Sequence, residues 1–529
     1  MKITRIFLAM MLVLCLLLSS CFPAVLPDDE NTGINQGNGS DENNTNQGDN
    51  NPDSDIKCEG HADADDDDLC DLCGISIYFT FNIFAFNDLH GVFKDTESSV
   101  GVAGLTSYIN KAKNENTILL SAGDSWQGTS ESNLTSGKIM TEWMNFLGIH
   151  AMTLGNHEFD WGEDAIEENA ALANFPLLAI NIYDKDTNER VSYAQPSVLV
   201  DLGEYQVGII GAIGNCYSSI SGEVNDGFYF KTGDALTALV KDESDRLRKD
   251  GADFIIYSLH DGHDVNSTSS GYISDADLSA YYDIELSDGY VDLVYEGHTH
   301  KKYVLKDTQG VYHIQTGGYN QAFSRVDVSV NLITGKAKAT ANSLTNSVYS
   351  NMAPDAVVDD LLEKYKNDIS KADEVLGILP SKMYSSSICD LVADLYLEAG
   401  LERWGDKYDI VLGGGFLKAR SPYNLEKGEV KYRDLQAIMP FDNEIVLCAV
   451  SGAKLLDNFI NTSNSDYHIT LSAYGSSIKN SISRNKTYYI VVDTYTSTYA
   501  YNGLTEIERY GTDVYARDLL AEYIKKKYN

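Results

Sequence analysis

Seven residues of metal-ligating type recur between positions 88 and 300, each just past an apolar run. They are Asp88 and His90 in NDLHG, Asp124 in SAGDS, Asn156 in LGNHEFD, His260 in YSLHDG, and His298 and His300 in EGHTH. Carboxylate and amide oxygens with imidazole nitrogens make a donor set large enough for two ions, of a kind that suits Mn, Zn, Fe, Co or Ni better than Mg or Ca. Two metals ~3.5–4 Å apart clamp the attacking and leaving oxygens of an in-line displacement, so the chemistry indicated is phosphate-ester hydrolysis. A lone His or Asp at a strand end is usually structural or a cap; here the weight comes from five apolar runs that end alike.

The elements that must position these residues follow from the hydrophobic pattern. Strands are predicted over 77–86, 117–121, 152–154, 177–182, 207–213, 254–259 and 291–295, with a helix over 235–249. Alternation of this kind predicts an α/β architecture. In such sheets the carboxyl ends of the strands form the functional edge, which would gather the seven residues. Extended backbone through Asp88-x-His90 and His298-x-His300 would turn both side chains of each pair to one side. Glycines at 91, 123, 155, 262 and 297 suit tight turns and close packing there. A second α/β region fills 376–529, after a charged helix predicted over 355–375. Its predicted parts are a helix over 388–400, a strand over 410–415 running into a glycine turn, a stretch 435–441 leading into MPFDN, and a strand over 488–492.

The chain has 529 residues, 43% of them hydrophobic, enough for more than one core. It carries 40 Lys+Arg against 78 Asp+Glu, a balance that argues against binding long nucleic acid by counterion release. Single nucleotides stay admissible, because a metal pair supplies positive charge locally. At the start, Lys2 and Arg5 precede an apolar run over 6–18, too short for a transmembrane helix and suited to a signal peptide over 1–20. Leu18-Ser19-Ser20-Cys21 resembles a bacterial lipobox, which implies lipidation of Cys21 and an anchor on the outer face of the cell membrane. Residues 21–57 read as a disordered acidic linker. Then Cys58-x2-His61 and Cys70-x2-Cys73 have the spacing of a small Cys3His zinc site, while the alternating Asp63, Asp65 and Asp67 suggest calcium; a flexible tether with two disulfide-capable pairs is the alternative. Cys216, Cys389 and Cys448 read as buried small apolar residues.

Asp88-x-His90, Gly123-Asp124, Gly155-Asn156-His157-Glu158, the isolated His260 and Gly297-His298-x-His300 match in order and spacing the signature of the calcineurin-like metallophosphoesterases. The variant Asn156-His157-Glu158-Phe159-Asp160 is similar to the 5'-nucleotidase family within that group, and Gly413-Gly414-Gly415 with Pro440-Phe441-Asp442-Asn443 resemble its C-terminal nucleotide-binding region. The resemblance implies a four-layer αββα metallophosphoesterase domain over 75–348, a linker helix over 349–375 and a smaller C-terminal α/β substrate domain over 376–529. It implies that Asp88, His90 and His300 hold one metal, that Asn156, His260 and His298 hold the other, and that Asp124 bridges them. His157 would stabilise phosphoryl charge or protonate the leaving oxygen, with Asp160 orienting its ring. Phe441 and Asn443 would contact the base. The sequence departs from the family after the glycines: Leu417 stands where an arginine is usual, leaving Arg420 or Lys418 to grip phosphate, and Tyr495 is the candidate for a second stacking ring, with Tyr499 and Tyr501 as competitors. The implied activity is an extracytoplasmic 5'-nucleotidase; UDP-sugar diphosphatase and 2',3'-cyclic-nucleotide phosphodiesterase are the alternatives within the class. A surface metal- or ligand-binding lipoprotein is the alternative outside it.

Overall fold

A computed structural model describes residues 60–65, 67–95, 99–220, 227–263, 270–272, 289–415, 424–460, 470–472, 479–499, 503–511 and 514–529. Cys21, Cys58, Arg420, Lys418 and Tyr501 lie outside the described residues.

The first strand, Tyr78–Phe86, sets the layering. Its alternate side chains Phe81, Ile83 and Ala85 enter one core, and Phe84 and Phe86 enter another. It lies in a six-stranded sheet with parallel neighbours Thr117–Ser121, Ala151–Thr153 and Leu177–Leu178 on one side. On the other side lie the antiparallel Ala322–Asn331 and Lys336–Thr345. A seven-stranded sheet holds Gln206–Ile213, Phe254–His260, Leu293–Glu296 and Tyr312–Thr316 as parallel neighbours. Phe81 and Ile83 of the first sheet pack against Ile209, Ile256 and Leu293 of the second. The outer face of the first sheet is covered by the helices Val102–Ala112 and Lys138–Leu147, through Leu105, Ile109, Met140 and Trp143. Helix Asp234–Lys249 covers the second through Val240 and Leu247. The order helix, sheet, sheet, helix is the expected αββα arrangement.

The C-terminal region has its own cores. A five-stranded sheet, with Ile410–Gly415, Thr487–Asp493 and Ile445–Ser451 at its centre, packs against helix Ser385–Trp404.

Two expected elements differ. The strand predicted over 177–182 is two pieces, Leu177–Leu178 and Ile182–Asp184. Between them the buried Asn181 side chain donates to the carbonyls of Ile213 and Lys231 and accepts from the Ile213 amide, taking up groups that a ladder would otherwise use. The helix predicted over 355–375 runs only from Ala356 to Lys364, capped by the Asp355 carboxylate on Val357 N, and a separate 3-10 turn spans Asp368–Asp373. Tyr365 turns its hydroxyl to Glu142, and Ile369 and Ala372 bury at the i,i+3 spacing that a 3-10 turn aligns.

Candidate metal centre and substrate cleft

All five strands that the sequence placed before a ligand end at one edge. Phe86 leads to Asp88, Ser121 to Asp124, Thr153 to Asn156, His260 closes its own strand, and Glu296 leads to His298 and His300. The expected extended geometry is absent from the paired motifs. Asp88, His90, His298 and His300 have φ of 49°, 49°, 70° and 52°, and Asp124 has 51°. Left-handed backbone at non-glycine residues costs free energy and clusters at functional sites. Here it lets both side chains of each pair enter one pocket from a turn instead of from a flat strand. Gly155 is required for a different reason: a Cβ there would lie 2.3 Å from Asp124 Oδ1.

Hydrogen bonds around the edge fix which atoms face inward. His90 Nδ1 donates to Gln127 O at 2.9 Å, and His260 Nδ1 donates to Ala122 O at 2.7 Å. Each ring therefore presents Nε2 to the pocket, the orientation that partners of metal-binding histidines impose. His260 Nε2 is 3.2 Å from Asp124 Oδ2, is buried, and has no hydrogen-bond partner among the described residues. His90 Nε2 lies 2.9 Å from His300 Nε2, and His300 Nε2 lies 3.2 Å from Asp88 Oδ1. His298 Nδ1 is 2.9 Å from Asn156 Oδ1. Donor atoms of Asp88, His90 and His300 lie within 4.8 Å of one another, as do those of Asp88, Asp124 and His260. Lone pairs that face one another at these distances fit divalent cations lodged between them.

Charge agrees. Burial works against ionised Asp124, yet His260, His157 and His90 hold it well below the usual carboxylate range. Burial likewise opposes charge on His260, but Asp124 and Asp88 raise its pKa to about 10. Negative potential strong enough to retain that proton equally favours a cation. Burial, with His260 close by, brings His298 down to about 4, leaving its imidazole neutral and fit to ligate.

His157 stands beside this centre. Its amide donates to Asp124 Oδ1 at 2.9 Å and its Nδ1 bonds Asp160 Oδ2 at 2.9 Å. Phe441, from the C-terminal region, stacks on its ring. The loop carrying Phe441 is pinned to the first domain: Pro440 O accepts from Gln127 Nε2 and Asn133 Nδ2, and Asp442 accepts from Trp161 Nε1.

Asn443 meets Ala516 through its backbone carbonyl. Tyr495 lies on the helix Thr494–Tyr499 and is 48% exposed.

Four supporting residues had no assigned role in the sequence. Glu158, buried, accepts from the amides of Gly155, Asp124, Ser125 and Trp126, so one carboxylate shapes both ligand loops. Burial and Asp124 push its carboxyl up to about 7. Tyr319 stacks on His90 at 5.0 Å, and its amide donates to Asp88 O. Buried Arg517 donates to Met439 O and Phe441 O and pairs with Asp442, cradling the aromatic loop. Behind His298, Glu296 accepts from Tyr303 and lies 2.9 Å from His313 and 3.2 Å from His263. Glu158 and Glu296 carried a signal, their places inside the Gly155–Asp160 and EGHTH motifs.

Residues 81–302 match the calcineurin-like phosphoesterase family, and residues 371–505 match the 5'-nucleotidase C-terminal domain. The class is thus a metal-dependent phosphoesterase. The chain belongs to the 5'-nucleotidase family of the calcineurin-like metallophosphoesterases. It is 25% identical over 426 residues to protein UshA of Yersinia enterocolitica, covering 71% of this chain and 75% of that one. It is also 25% identical over 429 residues to a 5'-nucleotidase of Vibrio cholerae, covering 72% and 75%. The fold is shared with the 5'-nucleotidase precursor of Thermus thermophilus, at a TM-score of 0.59 and 17% identity over 85% of this chain and 96% of that one. Membership in a hydrolase family displaces the reading of a surface binding protein.

Proposed function

We propose that this enzyme releases phosphate from nucleoside 5'-phosphates outside the cytoplasm, using two divalent cations. One observation carries the reading: an aromatic ring of the C-terminal domain, Phe441, lies against the imidazole of His157, whose Nδ1 bonds Asp160 and whose backbone amide bonds Asp124. That juxtaposition puts a base-stacking surface within reach of phosphoryl chemistry.

Asp88, His90 and His300 would hold one ion, Asn156, His260 and His298 the other, and Asp124 would touch both. When bound, the pair supplies Lewis-acid stabilisation of phosphoryl oxygens and an activated water. The other steps belong to side chains. Asp160 accepts the Nδ1 proton of His157 and fixes the ring, leaving Nε2 to hydrogen-bond the phosphoryl group or protonate the leaving alkoxide. Phe441, held by Arg517 through its own carbonyl, offers the base a flat apolar face.

The basic and apolar start of the chain, Cys21 and the acidic stretch after it support an exported, lipid-anchored enzyme. Among the described residues no helix is long and apolar enough to cross a membrane.

The test is phosphate release by the manganese-loaded enzyme from nucleoside monophosphates, a UDP-sugar, a 2',3'-cyclic nucleotide and an aryl phosphate. Preference for the monophosphates supports the reading. Faster turnover of the UDP-sugar or cyclic substrate moves the assignment within the class, and activity unchanged in Asp124→Ala overturns the metal centre. Retention of a Cys21→Ser variant at the membrane contradicts the anchor.

A further inference from the structure

The segment ahead of the first strand takes no part in this chemistry, yet its described residues are folded. The Cys70 amide donates to Ile75 O and the Gly74 amide to Cys70 O, each at 2.7 Å, which closes a tight turn with Gly74 at φ 73°. A bridge between Leu69 and Ser76 and a bond from Ile77 N to Asp68 O extend the turn to the body. Asp71 N donates to Ala62 O, and Ala64 N to Asp71 Oδ2, drawing the stretch that carries His61 against the turn. As a result, donor atoms of His61, Cys70 and Cys73 lie within 4.8 Å of one another, with Cys73 Sγ 4.0 Å from His61 Nδ1.

Burial is inverted for such a short piece. Cys70 is 1% exposed, while Leu69, Leu72 and Ile75 are 45%, 71% and 42% exposed. Apolar packing therefore does little to offset an ordering cost of ~1–2 kcal/mol per residue. Pieces this small normally depend on a metal or a disulfide. The nearby carboxylates are engaged by backbone amides: Asp63 accepts from those of Asp67 and Asp68, and Asp67 from that of Leu69. Two thiolates and an imidazole select a borderline-soft cation over calcium.

We propose that His61, Cys70 and Cys73 hold a zinc-class cation that folds residues 60–76 into a knuckle at the start of the Tyr78–Phe86 strand, separate from the catalytic pair. Among the described residues three ligands are gathered, which leaves the fourth position of a tetrahedral ion to another donor. The knuckle abuts the first strand of the catalytic body through the Leu69–Ser76 bridge and the Ile77–Asp68 bond.

The test uses the full chain loaded with Co2+ under reducing conditions, read by metal analysis and near-ultraviolet absorption. The Cys216 sulfur also lies within 4.8 Å of donor atoms of His260 and His298, so the knuckle is read from the part of the thiolate-to-cobalt band that a Cys70→Ser/Cys73→Ser variant loses. The wild type should show that band and about one metal equivalent more than a Cys70→Ser/Cys73→Ser variant, with phosphatase activity within about twofold. His61→Gln, which keeps both thiolates, should retain the band and lose at least tenfold in affinity against a chelator. Absence of the band from the wild type, equal metal content in the double variant, or a Cys70–Cys73 disulfide in chain isolated without reductant overturns the proposal.

Discussion

The rings of Phe441 and His157 are stacked, with centroids 5.5 Å apart and planes inclined by 21°. They lie in different domains, so this contact joins the expected base-recognition surface to the expected proton donor. Base–aromatic stacking is worth about 1–3 kcal/mol by alanine substitution. Phe441→Ala is expected to lower kcat/KM on nucleoside monophosphates roughly 5- to 150-fold, that energy expressed as a rate ratio. An aryl phosphate, which has no base to stack, should be hydrolysed at an undiminished rate.

The Asp160–His157 pair predicts a dependence on the leaving group. Positioned proton transfer contributes ~10²–10⁴-fold. His157→Ala should lose that factor on nucleotides, whose leaving group is a basic alkoxide. On an aryl phosphate with an acidic phenol the loss should be much smaller. Asp160→Asn keeps the imidazole but not the carboxylate that orients it, so its losses should be smaller and show the same order. Equal losses on both substrates would contradict proton donation by His157.

Glu158 holds four amides from two ligand loops, with 2.7 Å to Gly155 N and 2.8 Å to Ser125 N. Each buried donor left unsatisfied costs ~1–3 kcal/mol. Glu158→Ala is therefore expected to destabilise the fold by at least about 3 kcal/mol in urea unfolding. It should also weaken metal retention, because Asp124 and Asn156 both ride on these loops. A variant as stable as the wild type would show that the carboxylate shapes nothing.

Stability should also depend on pH through His313. Burial opposes its charge, but Asp307 and Glu296 outweigh it and raise the imidazole to about 9. The unfolded value is ~6.5, so the charged ring stabilises the fold fully below ~6.5 and loses that contribution as pH climbs through the folded value. The Tm difference between wild type and His313→Gln should be largest near pH ~6.5 and shrink by pH ~9.5. A constant difference across this window would mean that the ring packs in neutral form.

The α/β class, the first-sheet strand Thr117–Ser121 and the strand-end placement of all seven ligand-type residues were legible in the sequence. Apolar runs declare strands by local pattern, and ligand-type residues just past them declare an edge. Parallel pairing then brings those ends together whatever their separation along the chain. The backbone at the ligands was not legible, because left-handed φ at Asp88, Asp124 and His300 is imposed by surrounding contacts against local preference. Nor were the long-range partners: Gln127 for His90, Tyr319 stacked on His90, and Arg517 on the carbonyl of Phe441. No local propensity marks a residue whose role depends on a neighbour dozens of positions away. By itself the sequence determined which atoms are available for metal and phosphate chemistry and which strands carry them. Only the tertiary structure decided which nitrogen of each imidazole faces the pocket and which aromatic ring meets His157, because both depend on contacts between segments that the chain order keeps apart.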